Sequence, residues 1–127
     1  MGLTNAGRDV MTQCLTNYNS PVFFDNTHSY IGVGDSSTAF IATQTDLQAS
    51  TNKIRKGMVT SYPTTTSNIL VFKSSFGATE GNFTWNEWAV FNALSSGVML
   101  NRKVENLCTK NGGTFNLTVT LTVSIGS

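Results

Sequence analysis

Along residues 114–125 the chain alternates without a break: Phe115, Leu117, Val119, Leu121, Val123 and Ile125 fall on one side and only Thr, Asn and Ser on the other. Successive strand side chains point to opposite faces, so this segment predicts a half-buried β-strand whose apolar face closes a core. The same period of two runs through residues 69–76, where Leu70, Phe72, Ser74 and Phe76 oppose Ile69, Val71, Lys73 and Ser75, and predicts another strand. Over residues 82–92, Phe83, Trp85, Glu87, Ala89 and Phe91 take one face and Thr84, Asn86, Trp88 and Val90 the other. A large aromatic on each face predicts a strand covered on both sides. Ser95-Ser96-Gly97 is a turn signal, and residues 98–105, with Val98, Leu100 and Val104 on one face, predict the return strand of a hairpin. Residues 106–113, ending in Asn111-Gly112-Gly113, read as the turn into the last strand and place Cys108 in a loop.

The first half is less regular. Thr4 can cap a helix whose Val10, Met11, Cys14 and Leu15 form one apolar stripe, ending near Asn17. Asn19-Ser20-Pro21 breaks that pattern, Val22-Phe23-Phe24 is a short apolar patch, and Asp25-Asn26-Thr27 turns the chain into a strand over residues 28–33. Gly32 and Gly34 begin a run to Thr38 that reads as a structural turn, where glycine permits backbone angles or close approaches that a Cβ would forbid. Residues 39–52 are polar, with Phe40, Ile41 and Leu47 as anchors; a long loop, or a short helical turn at Asp46-Leu47-Gln48, is expected to meet a partner there. Residues 53–62 predict a further strand, and Pro63 with residues 64–68 a connection. The sum is a mainly β chain of five or six antiparallel strands with one N-terminal α-helix, a β-sandwich or flattened barrel. With 127 residues, 39% of them hydrophobic, residues 1–127 are expected to form one domain.

Charge removes several function classes from the picture. Charged residues make up 12% of the chain, against roughly 25% in average soluble proteins, so the surface is neutral and polar. A net charge of +1 from 8 basic and 7 acidic residues gives no clustered basic face for nucleic acid. No stretch approaches the length of a membrane span, no leader is apparent, and synthesis in a host cytoplasm is expected. Cys14 and Cys108 are expected to be free thiols, and the sequons at Asn82 and Asn116 fall in predicted strands without a secretion signal.

Candidate chemistry is sparse. His28 is the single histidine and reads as a turn or strand-edge residue, with no metal site around it. Gly32-Val33-Gly34 lacks the Lys-Ser or Lys-Thr of a phosphate loop. Trp85 and Trp88, three apart on a strand, are expected on opposite faces, which favours core packing over one flat sugar-stacking platform. Glu87 is expected on the face of Trp85, as a buried or interface carboxylate needing Arg102 or Lys103 as partner. Asp35, Asp46, Glu80 and Glu105 are scattered, with no pairing signal for a hydrolase.

Three stretches in order carry a family resemblance: Leu3-Thr4-Asn5-Ala6-Gly7, then the run from Gly32 through Gly34, Asp35, Ser36 and Ser37 to Thr38, then Glu87-Trp88-Ala89-Val90-Phe91. Together they make the chain similar to the collar-type domain at the N-termini of bacteriophage tail fibres. The resemblance implies a non-enzymatic virion structural protein without cofactor. It would act as a tail, baseplate or fibre-attachment subunit, or alternatively as a capsid decoration protein, and no shaft or receptor-binding tip is seen before Ser127. Its expected partners are other virion proteins and copies of itself in a trimer or ring, with no nucleic acid and no membrane. Gly32, Gly34, Asp35, Phe40, Leu47, Trp85, Glu87, Trp88 and Arg102 are the candidate interface or structural residues. A reading of another class is a carbohydrate-binding module using Trp85, Trp88, Tyr30 or Tyr62.

Overall fold

In a computed structural model, which describes residues 2–124, the chain runs β1 (Gly2–Leu3), α1 (Asn5–Thr16), β2 (Tyr30–Gly34), β3 (Lys53–Gly57), β4 (Thr64–Thr66), β5 (Ile69–Phe76), β6 (Thr84–Phe91), β7 (Met99–Thr109) and β8 (Phe115–Thr122). Every strand pairing is antiparallel, in a five-stranded sheet ordered β1-β7-β6-β2-β3 and a three-stranded sheet ordered β4-β5-β8. The terminal alternation behaves as its period demands. On β8, Val119 and Leu121 are buried while Asn116, Thr118, Thr120 and Thr122 are exposed. Val123 is exposed, and Ile125 lies outside the described residues.

The core is the seam between the sheets. Ile31, Val33, Trp85, Trp88, Val90 and Leu100 from the large sheet meet Phe72, Phe76, Val119 and Leu121 from the small one. A second, smaller cluster of Leu47, Ala89, Phe91 and Met99 lies on the other face of the large sheet, where Leu47 comes from the loop between β2 and β3. The sandwich predicted from periodicity is therefore present, with the central strand β6 covered on both faces.

Several local expectations need correction. Trp85 and Trp88 share one face because β6 and β7 slip register between Trp85 and Glu87, which turns the strand over by one residue. Trp85 thereby joins Trp88 and Val90 in the seam, while Glu87 faces the loop side and not the side of Trp85. The glycines at 32 and 34 form no turn; both sit inside β2 in extended backbone, and it is the close approach that glycine serves there. At Gly32 a Cβ would stand 2.7 Å from the Phe91 ring, and at Gly34 it would collide with the Glu87 carboxylate. β7 continues to Thr109, so Cys108 is a strand residue opposite Trp85. β4, read from sequence as a connection, is a three-residue strand on β5 with Ser67 in the left-handed region at the turn.

The helix starts and stops as its caps dictate. The Thr4 hydroxyl accepts from the Gly7 N–H at 2.8 Å and donates to the Met99 carbonyl, and Asn17 closes the helix with φ 52°. Only Val10 of its apolar stripe is fully buried. Gly7 and Val10 are buried, whereas Met11 is exposed and Leu15 is 86% exposed. The helix meets β7 through its first turn, with Gly7 set so close to the Leu100 carbonyl that a side chain there would clash.

Candidate functional site

Glu87 and Arg102 form the one ion pair among the described residues that is wholly withdrawn from solvent, both side chains being 0% exposed. Their strands bring them together: Glu87 lies opposite Val104 and Ala89 opposite Arg102, so the two charged residues are diagonal neighbours on one face of the β6–β7 hairpin. Arg102 donates from Nε to Glu87 Oε1 at 2.7 Å. The same carboxylate accepts the backbone N–H groups of Gln48 at 2.8 Å and Ala49 at 2.9 Å. The rest of the guanidinium donates to Gln44 Oε1 at 3.1 Å and to the Thr38 carbonyl at 2.9 Å. Gly34, directly across from Glu87 on β2, leaves room for the carboxylate.

All four loop partners belong to the segment between β2 and β3. A long loop laid over a sheet must satisfy its own backbone groups, and here one buried carboxylate and one guanidinium accept and donate for it. Leu47 and Ala49, 3% and 4% exposed, anchor the same stretch. The middle of the segment that sequence assigned to a partner is thus spent on its own sheet. Asp35 clasps the loop's two ends, its N–H donating to the Asn52 carbonyl and its carboxylate accepting from Asn52 Nδ2 at 2.8 Å. Phe40 lies further out, beside Gly2, Lys103 and Val104 in a cleft that reaches Arg102.

A second polar cluster, which sequence reasoning missed, flanks the loop. Arg55 on β3 lies 3.5 Å over the Phe91 ring centroid and donates to the carbonyls of Ala93 and Ser96 and to Asp46. Lys53 reaches the other Asp46 oxygen at 3.2 Å. Burial opposes ionisation of Asp46, but the Leu47 N–H, the Arg55 guanidinium and the Lys53 ammonium outweigh it and hold the carboxyl below its ordinary value. Glu80 is held low by Lys56 at 2.8 Å and by the Gly77 N–H. Arg55 gives no advance signal, because a charged residue in an alternating strand reads as solvent-facing.

These depressed carboxyls set an acid limit. Below its ordinary pKa, 3.8 for Asp46 and 4.5 for Glu80, each group binds a proton in the unfolded chain before it does in the folded one. Their contribution is therefore full above those values and lost as pH falls through the lower folded values. The urea midpoint is expected to be level near neutrality and to fall from about pH 4.5 downward. Asp46→Asn should flatten that decline; an unchanged slope would remove Asp46 from the account.

The geometry limits the chemistry. Both Glu87 oxygens are occupied by donors of the chain itself, and neither is exposed. Trp85 Nε1 donates to the Gly81 carbonyl and Trp88 Nε1 to Glu105, and both indoles are buried in the seam, leaving no face for a sugar to stack on. His28 is an exposed turn residue paired with Asp25. Among the described residues no group of three or more His, Cys, Asp or Glu could hold a metal ion, and no helix is long and apolar enough to cross a membrane. Gly34, Leu47, Glu87 and Arg102 of the sequence candidates come together at one place; Trp85 and Trp88 lie in the seam on the other side of β6. Against protein-family models and against curated proteins, the chain matches none.

Proposed function

We propose that the chain is a non-enzymatic structural subunit of a tailed-bacteriophage virion, placed at the tail, baseplate or fibre-attachment point and acting through protein–protein contacts. The observation that carries this reading is the use of Glu87 and Arg102: the most buried acid and base among the described residues, both 0% exposed, spend their hydrogen bonds on the chain's own long loop. To the outside the molecule offers the threonine face and unpaired backbone edge of β8 and scattered exposed apolar side chains such as Leu15, Phe23, Ile41 and Leu94, a surface suited to packing against protein. The ordered likeness of Leu3-Thr4-Asn5-Ala6-Gly7, the Gly32 to Thr38 run and Glu87 to Phe91 to fibre collar domains favours the tail over the capsid. In the fold, the first of these stretches supplies β1, the Thr4 cap and the Gly7 contact with β7, and the third supplies Glu87 and the covered centre of β6.

Gold-labelled antibody against the chain, applied to intact particles, tests the reading. Label at the tail is expected. Label over the shell would move the subunit to capsid decoration, and particles free of label and of the protein would overturn the proposal.

A further inference from the structure

The two sheets end in four different edges, and three of them carry the devices that keep edges from pairing with other chains. β3 carries Lys53, Arg55 and Lys56. β4 is three residues long and follows Pro63. β1 covers β7 only at Arg102 and Asn101, and the remaining β7 edge carries Lys103 and Glu105. β8 carries none of these: Phe-Asn-Leu-Thr-Val-Thr-Leu-Thr contains no charge, proline or glycine over eight residues. Its pairing with β5 runs from Phe115↔Phe76 to Thr122↔Ile69 without a bulge. One set of its backbone groups is spent on β5, and no strand among the described residues takes the other. At its C-terminal end, Leu121 and Val123 border a mostly apolar groove of about 200 Å³ shared with Leu3, Met11, Leu70 and Leu100.

We propose that β8 is a pairing edge whose occupant is β8 of a second copy, joined antiparallel about a two-fold axis into one six-stranded sheet. The strand's own sequence selects the occupant. Directly opposed residues of an antiparallel pair share a face, so an axis through a residue such as Thr118 or Val119 sets threonine and asparagine against their like, and Leu and Val against Leu and Val. No like charges meet, which a basic or acidic edge could not achieve with its own copy. The pairing deepens the assembly reading above and rests on it only for its place in a particle.

Sedimentation equilibrium of the purified chain is expected to give a species of twice 13.7 kDa that dissociates on dilution. In the same samples, hydrogen exchange should show every second amide of 115–122 protected at high concentration and released at low. T118K/T120K leaves the buried face untouched and sets lysine against lysine or its near neighbour in either register, so it should weaken the dimer at least about ten-fold. A chain that is monomeric throughout, or an oligomer in which the outward β8 amides exchange freely, overturns the pairing. Exchange on the unsubstituted chain decides this even where the variant folds poorly. Particles that incorporate T118K/T120K normally while the isolated variant stays monomeric would leave the virion reading standing and confine the failure to β8 as its assembly contact.

Discussion

Glu87→Ala is expected to lower the unfolding free energy by about 3–5 kcal/mol, the range for breaking a buried ion pair from one side. Three groups lose their partner at once. The Arg102 guanidinium stays at 0% exposure with only neutral acceptors, Gln44 Oε1 and the Thr38 carbonyl, and the N–H groups of Gln48 and Ala49 lose their acceptor. A domain of ordinary stability, roughly 5–15 kcal/mol, would lose a third or more of its margin. The loss should be local in its first effect, with the Gln48 and Ala49 amides exchanging faster than those of β6. Adding Arg102→Met removes the stranded charge but not the two unpaired N–H groups, so E87A/R102M should recover part of the loss and not all. Urea titration measures all three proteins. A Glu87→Ala midpoint within about 1 kcal/mol of the parent would show that the pair does not hold the loop.

Trp85→Ala is expected to cost about as much, roughly 3–5 kcal/mol, through a different cause. The indole is 2% exposed and meets Phe76 edge-on at 4.9 Å between ring centres and Phe115 at 5.8 Å. Phe76 ends β5 and Phe115 begins β8, so one side chain of the large sheet pins the end of the small sheet. Its truncation leaves a void beside two rings and frees the Gly81 carbonyl that accepts from the indole N–H. Trp85→Phe keeps most of the ring contact and should cost clearly less than Trp85→Ala. Amide exchange should rise first around Phe76 and Phe115 and last around Ile69 and Thr122. Equal protection loss at both ends of the β5–β8 pair would contradict the role given to Trp85.

Much of this fold was legible because β-strand period is a local property. The alternations in β5 and β8, the β6–β7 hairpin and the caps at Thr4 and Asn17 need only neighbours in sequence to be read. Burial of both faces of β6 followed from aromatics on each, and the need of Glu87 for a cation on the return strand, Arg102 or Lys103, followed from the cost of a lone buried carboxylate; Arg102 is the one that supplies it. What failed was non-local. The register slip at Trp85–Glu87 depends on β7, so it moved Trp85 to the face of Trp88 and away from Glu87 without a trace in the alternation of β6 itself. The glycines at 32 and 34 looked like a turn because sequence records the missing Cβ but not the Phe91 ring and Glu87 carboxylate that require it. The loop read at 39–52 looked available to a partner because most of the groups that tie the 35–52 connection to the sheet are backbone groups, which every residue has.

The same contrast separates site from function. The clamp at Glu87 is a geometric fact of the chain, while its service in a virion is a reading of what a molecule with such an inward-turned site is for. Quantitative mass spectrometry of purified particles, giving copies of this chain per copy of the major shell protein, tests that reading most directly. A tail or baseplate subunit present in one small symmetric ring predicts a ratio of roughly a few per hundred. A ratio near one would contradict the tail placement in favour of decoration of the shell, and absence from the particles would contradict the structural role altogether.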